Sequence, residues 1–61
     1  MKAIIEISMD NAAFQDSTEL PRILKDLAER LAQRESFEDG DMDTVFDTNG
    51  NRVGTFKIID A

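Results

Sequence analysis

The chain contains no cysteine, histidine, tyrosine or tryptophan. Without cysteine, neither a disulfide nor a thiolate zinc site can reinforce the fold. Without histidine, the chain lacks the side chain that most often serves as a general base or a transition-metal ligand near neutral pH. Ser8, Ser17 and Ser36 therefore have no histidine to activate them as nucleophiles. We expect a protein that is not an enzyme, with no catalytic residues and no cofactor.

The acidic residues near the C-terminal end raise the question of calcium binding. Asp39, Asp41 and Asp43 occupy the first, third and fifth positions of an EF-hand loop. The sixth position of that loop is threonine instead of glycine, and the twelfth is glycine instead of glutamate. A second frame that starts at Asp47 also lacks the later glycine and glutamate. The pattern predicts no metal site.

The length of 61 residues predicts one small domain, residues 1–61, near the lower limit for a self-supporting core. A catalytic carboxylate pair needs a cleft, which so short a chain can hardly build. The N-terminal stretch MKAIIEISMD is neither a signal peptide nor a membrane span. We expect a cytoplasmic protein that does not associate with membranes.

The charge balance is acidic, with 13 acidic and 7 basic side chains and a formal net charge of -6. Direct nucleic-acid binding needs a basic footprint. The only basic cluster, Arg22, Lys25, Arg30 and Arg34, is interleaved with acids. We therefore expect no direct binding of nucleic acid. The acidity suits solubility, and it also favours a protein partner with a basic surface, reached by electrostatic steering.

Residues 20–34 carry the spacing of one amphipathic helix of about four turns. Ser17 or Thr18 is the expected N-cap, and Pro21 falls in the first turn, where its missing N–H costs nothing. The opposite face is charged and solvent-facing. The apolar positions are Leu20, Ile23, Leu24, Leu27, Ala28, Leu31 and Ala32.

Three segments are predicted to be strands. Residues 2–9 alternate, with Ala3, Ile5, Ile7 and Met9 facing the core. Residues 42–47 and 52–59 form a β-hairpin across an Asn-Gly turn. A two-residue loop would set Phe46 opposite Val53, and a three-residue loop with a glycine bulge would set Val45 opposite Val53.

The expected fold is therefore α+β with the order β-α-β-β, a three-stranded, mainly antiparallel sheet and the helix on one face. The first strand lies antiparallel to the last in the favoured order 2-3-1. The alternative order, 1-2-3, places it parallel to the second strand through a right-handed crossover. Phe14 is expected to close one end of the core.

Two surfaces are predicted to bind proteins. The last strand is apolar on both faces, so we expect a homodimer through the uncovered face, with Val53, Phe56 and Ile58 in the contact. Phe37 either folds back on the helix C-terminus or serves as a docking residue. The acidic segment around it supplies the remaining candidates for binding a partner: Glu35, Phe37, Glu38, Asp39, Asp41 and Asp43.

Two segments together resemble a group of small proteins encoded by bacteriophages, prophages and their bacterial hosts. These segments are IEISMDNAAFQD, which includes Asn11, Ala12, Ala13 and Phe14, and DTNGNRVG, which includes Asp47, Asn49, Gly50, Asn51, Val53 and Gly54. In that group a DNAAF-type segment leads into a LARIL-type helix, and a D-x-N-G-N-x-V-G hairpin closes the chain. Pro21 departs from the helix pattern with little consequence. The resemblance covers nearly the whole sequence, and it implies a phage-related setting in a bacterial host and not an activity.

The leading hypothesis is a small acidic interaction protein of phage or prophage type that binds a host or phage protein. A specific version is an anti-defence inhibitor that blocks a nucleic-acid-binding protein, with its carboxylates standing in for phosphates. The alternative is a structural or assembly module that homo-oligomerises through the uncovered face of the sheet.

Overall fold

The computed structural model describes residues 1–60 of the chain. It contains one helix and three strands, with a short 3-10 helix in the first connection, and this confirms the predicted α+β fold with the order β-α-β-β. The elements are β1 (Lys2–Ile7), the 3-10 helix (Ala12–Gln15), α1 (Glu19–Leu31), β2 (Met42–Phe46) and β3 (Arg52–Ile59).

The sheet has the spatial order β1-β3-β2, and both pairings are antiparallel. The spatial order differs from the order along the chain because the hairpin places β3, the longest strand, between the other two. The antiparallel pairing of β1 with β3 is the arrangement that the sequence favoured. Both outer strands therefore present one unpaired edge each.

The hairpin combines both predicted registers. Val45 lies opposite Gly54, which is the offset that a two-residue loop implies, but Phe46 lies opposite Arg52 after a shift of one residue. Val53 is the extra residue of this β-bulge. Next to the turn, the offset is therefore the one that a three-residue loop implies.

The turn itself explains the bulge. The Asp47 backbone N–H donates to the Asn51 carbonyl oxygen at 2.9 Å, and the Gly50 N–H donates to the Asp47 carbonyl oxygen at 3.1 Å. Gly50 has a φ of 83°, in the left-handed region that glycine adopts without a Cβ penalty. The loop is thus Thr48, Asn49 and Gly50, and it turns the Asp47 side chain toward the interior.

The helix is shorter than predicted and ends at Leu31 instead of residue 34. Gln33 and Arg34 donate to carbonyl oxygens three residues earlier, so the chain tightens after Leu31 instead of continuing the α-helical pattern. Thr18 is the N-cap, but its side chain makes no capping bond to the helix. Asp16 instead accepts from the Thr18 N–H at 2.9 Å, immediately before the helix.

The core lies between α1 and the sheet, and two strands supply most of it. Phe14 packs against one side of this core, as predicted, together with Ile7 and Leu31. The side chains follow the helical spacing of α1 and the alternation of β2 and β3. The buried apolar residues are Ile23, Leu27, Val45, Val53, Phe56 and Ile58.

The prediction that the self-association residues form an exposed face is wrong. Val53, Phe56 and Ile58 are 8%, 3% and 5% exposed and belong to the core. Phe56 and Ile58 have the same parity and face α1, whereas the bulge brings Val53 to the same side despite its opposite parity. Both parities of β3 are apolar, so alternation alone did not identify the buried face.

The outer strand β1 is only partly covered. It ends at Ile7, which packs against the core, while Met9 lies beyond the strand and is half exposed. Ala3 and Ile5 lie opposite Ile58 and Phe56 and share their face, but Ile5 remains 47% exposed. Ala3, Ile5 and Ile7 therefore lie on the core side of the sheet, as predicted, but of these three only Ile7 packs against the core, because α1 packs over β2 and β3.

Candidate interaction surfaces

A buried carboxylate, Asp47, organises the hairpin turn. Its side chain is 5% exposed. Its Oδ1 accepts from the backbone N–H groups of Asn49 at 2.9 Å and Asn51 at 2.8 Å. Its Oδ2 accepts from the side-chain amides of Asn11 at 2.7 Å and Asn51 at 3.1 Å. Four donors therefore converge on one carboxylate.

These donors determine the ionisation of Asp47. Burial disfavours the charged form, but hydrogen bonds from Asn51, Asn49 and Asn11 favour it and together lower the pKa of Asp47 below its ordinary value. The negative charge is therefore retained in the folded state at neutral pH, and the turn depends on it.

A second buried carboxylate, Glu19, lies beside the same turn at the start of α1. Glu19 is 4% exposed, and its Oε1 accepts from Arg22 Nε at 2.7 Å. Its Oε2 accepts from the Thr48 backbone N–H at 2.8 Å. The Arg22 bond, followed by the Thr48 bond, lowers the pKa of Glu19, although the charge of Asp47 acts in the opposite direction. Glu19 thereby fastens the helix to the hairpin.

Together, Asp47 and Glu19 form a polar lock between distant parts of the chain. All four carboxylate oxygens accept hydrogen bonds from groups of the chain itself, so the arrangement suits a structural tie better than ligand binding. Across residues 1–60, no three acidic side chains come together in a way that could hold a metal ion. Neither this lock nor an interior role for Asp47 was predicted from the sequence. The Asp-x-Asn-x-Asn spacing was the signal that could have indicated it.

The predicted acidic segment is partly engaged within the chain. Asp43 Oδ1 contacts Arg30 Nη1 at 3.0 Å, and Asp41 Oδ2 contacts Arg34 Nη1 at 3.3 Å. Asp39 accepts from the Asp60 backbone N–H at 2.9 Å. These three aspartates therefore have structural partners.

The two glutamates of that segment, Glu35 and Glu38, are exposed and have no ion pair within residues 1–60. Of the five acidic residues predicted, Asp41 and Asp43 are thus paired with arginines, Asp39 accepts only a backbone hydrogen bond, and Glu35 and Glu38 remain exposed without an ion pair.

Phe37 forms one wall of an apolar groove of about 330 Å³ at the C-terminal end of α1. Its ring meets the Phe56 ring edge-on, with centroids 6.3 Å apart and an angle of 65° between the planes. Phe37 also lies beside Leu31, so it folds back on the helix end as predicted, yet it remains 39% exposed. All the lining side chains are apolar: Ala3, Ile5, Leu31, Phe37, Phe56 and Ile58.

The face of the sheet opposite α1 is mixed in character. Met42 and Phe46 alternate with the core residue Val45 along β2 and are 59% and 50% exposed. Ile4 and Ile59 lie on the same face at β1 and β3, interspersed with Thr44, Thr55 and Lys57. This open face carries apolar side chains, as expected, but they are not the residues that the sequence analysis selected.

No protein-family model, curated protein or solved structure matches this chain. Within residues 1–60, the single α-helix is too short and too polar to cross a membrane.

Proposed function

We propose that this chain is a small acidic, non-enzymatic interaction protein that binds a protein partner with a basic surface. The observation that carries the proposal is the apolar groove beside exposed glutamates at the end of α1. The proposed setting is the cytoplasm of a bacterial host, with a phage or prophage origin.

The groove supplies the apolar part of such a contact. Ile5 and Phe37 are 47% and 39% exposed, and the side chains between them are apolar. Concave apolar surfaces of this kind favour the insertion of a bulky apolar side chain, which removes its area from water. The partner that fits is therefore one that presents a leucine-sized or aromatic side chain.

Exposed carboxylates supply the specificity of the proposed contact. Glu35 and Glu38 lie two residues before and one residue after Phe37 in the chain and are exposed, and we place them at the rim of the groove that Phe37 lines. Lysine or arginine residues next to the inserted apolar side chain would meet these carboxylates at the rim. Because the chain has a net charge of -6, a basic partner is also steered toward it in solution.

The phage setting rests on the resemblance described above. Its two characteristic segments are the one that contains Asn11 and the one that contains Asp47, and these side chains are joined by a hydrogen bond of 2.7 Å. A direct bond between the two segments gives a physical reason for them to occur together. An inhibitor that imitates nucleic-acid phosphates is less well supported, because Arg30 and Arg34 already pair with Asp43 and Asp41.

A displayed peptide library tests the proposal without a known partner. We expect the wild-type protein to enrich peptides in which a bulky apolar residue lies next to lysine or arginine. Ile5→Lys, which places a charge in the groove, should abolish this binding. Reversal of the rim by Glu35→Lys with Glu38→Lys should weaken binding roughly tenfold, since two charge pairs at a partly desolvated rim are lost.

Leu24→Lys is the matched control for the library experiment. Leu24 is 41% exposed, like Ile5, but it does not line the groove. Its substitution should leave peptide binding unchanged. Failure to enrich any peptide, or enrichment that the Ile5 variant leaves intact, would contradict the proposed function.

The second candidate function is an assembly module that homo-oligomerises through the open face of the sheet. It is favoured by the exposure of Met42 and Phe46 on that face. Phe46→Lys should then reduce the mass of the particle in solution without unfolding it, because the side chain is already half exposed. An unchanged mass in light scattering would rule out this face as the contact.

A further inference from the structure

The two outer edges of the sheet differ in how their backbone groups are satisfied. On β2, the Thr44 N–H donates to Asp43 Oδ1 at 2.8 Å, and the Thr44 carbonyl oxygen accepts from Arg30 Nη1 at 3.2 Å. Side chains therefore cover the middle of this edge. Charged groups placed in this way prevent another strand from pairing there.

The edge of β1 has no such cover. The Ser8 N–H donates to the Val53 carbonyl oxygen of β3 at 2.7 Å, in continuation of the β1–β3 register. Because hydrogen-bonding direction alternates along an antiparallel strand, the backbone groups of Ile4 and Glu6 also point toward β3. Those of Ala3 and Ile5 point outward, and in residues 1–60 β1 pairs with no strand other than β3.

We propose that this edge binds β1 of a second copy, antiparallel about a two-fold axis, to form one six-stranded sheet. In this dimer Ile4 lies opposite Ile4 of the second copy. Ala3 lies opposite Ile5 of the second copy, and both residues carry outward backbone groups, so they form hydrogen-bonded pairs on either side of the axis.

The charges of the strand select this register. With Ile4 on the axis, Lys2 lies opposite Glu6 of the second copy, and the symmetry repeats this pair at the other end. A shift of two residues in either direction places Lys2 opposite Ile4 or Ser8, so both ion pairs are lost. Opposite charges on directly facing residues stabilise strand pairing, and like charges oppose it.

The pairing also changes the apolar groove. Ala3 and Ile5 line the groove on the α1 side, whereas Lys2 and Glu6 lie on the other face. The two grooves of the dimer consequently meet along the seam and form one longer apolar surface. The dimer does not depend on the proposed partner, since it is held by the backbone edge and by side chains of the opposite face.

Charge exchange at Lys2 and Glu6 tests the proposal. Each substitution lies at an exposed position, so folding is retained. Analytical ultracentrifugation at low salt should show a concentration-dependent dimer of the wild type. Glu6→Lys or Lys2→Glu alone should weaken it about tenfold, because two attractive pairs become repulsive. The double variant, with both charges exchanged, should restore wild-type dimerisation.

Mixing the two single variants provides the sharpest comparison. One then carries two lysines and the other two glutamates, so heterodimers should form in preference to either homodimer. A wild type that stays monomeric at every concentration would overturn the proposal. So would a dimer that is insensitive to these charges, because it would have to use another surface. Peptide binding by the groove is a separate readout that Lys2→Glu should leave intact, so each proposal can fail alone.

Discussion

At the scale of single residues, Asp47 has the most demanding environment in the chain. Its carboxylate is almost completely buried, and the four groups that donate hydrogen bonds to it are all neutral. Hydrogen bonds of this number are what allow a buried carboxylate to stay ionised. Removing the charge while keeping the shape therefore changes the balance of the whole turn.

We predict that Asp47→Asn lowers the urea midpoint of unfolding more than any substitution of an exposed acid. An asparagine presents one acceptor oxygen and an NH₂ group, so the NH₂ group faces donors in place of an acceptor. Asp10→Asn is the matched control because Asp10 is exposed, and it should leave the midpoint unchanged. Equal midpoints for the two variants would contradict the role given to Asp47.

At Gly54 the structure leaves no room for a side chain. A Cβ at this position would overlap the Glu6 carbonyl oxygen and lie 2.9 Å from the Glu6 carbonyl carbon. Both atoms belong to the backbone of β1, so the clash can be relieved only if β1 moves away from β3.

Gly54→Ala should therefore destabilise the protein by about 2–3 kcal/mol, the cost typical of overpacking. Gly50→Ala is the comparison, since a Cβ there meets open space and only the positive φ is strained. It should cost about 1 kcal/mol. Chemical denaturation of both variants measures the difference, and a smaller loss for Gly54→Ala than for Gly50→Ala would contradict the packing of β1 on β3.

At the scale of elements, α1 stabilises the fold through a narrow stripe. Ile23 and Leu27 are each 2% exposed, whereas Leu24 is 41% exposed although it lies on the predicted apolar face. The reason is that α1 covers two strands of the sheet and leaves the third partly open. The helical period correctly predicted the face but not its width.

Leu27→Ala should consequently cost about 3 kcal/mol, as for a buried leucine in a packed core. Leu24→Ala, on the same helix and with the same chemistry, should cost less than about 1 kcal/mol. Thermal unfolding followed by circular dichroism compares the two. Similar losses of stability would contradict an orientation of α1 that buries Leu27 and exposes Leu24.

The polar lock couples three elements to pH. Glu19 and Asp47 both have pKa values lowered in the folded state, so each binds a proton more readily when the chain is unfolded. Their stabilisation is complete above the ordinary carboxyl pKa of about 4 and is lost as the pH falls through the lower, folded-state values.

We therefore expect the urea midpoint to fall steeply on acidification below about pH 4. In a variant that combines Glu19→Gln with Asp47→Asn, the same titration should be flatter, because two of the groups responsible are absent. A wild type and a variant with parallel pH profiles would show that other carboxylates carry the effect.

At the scale of the whole molecule, local patterns predicted the elements and their connectivity. The period of residues 20–34 and the Asn49-Gly50 pair act within a few residues, and both the helix and the hairpin are present. The buried face of β3 was not predictable in the same way, because a bulge at Val53 reverses the alternation.

The hydrogen bonds of the buried polar groups could not be predicted from local sequence patterns either. Asn11 and Asp47 are 36 residues apart, and Glu19 and Thr48 are 29 residues apart. Their partners become evident only when the 3-10 helix, α1 and the hairpin are assembled. The same holds for the two sheet edges, since the cover of β2 by Arg30 comes from another element.

The central proposal is that the outer edge of β1 binds β1 of a second copy of this chain. The most direct measurement is residue-resolved amide hydrogen exchange by NMR at low and high protein concentration. The Ala3 and Ile5 amides should exchange rapidly in dilute solution and become protected as the concentration rises, while Ile4 and Glu6 stay protected throughout. Rapid exchange of Ala3 and Ile5 at every concentration would contradict the account of β1.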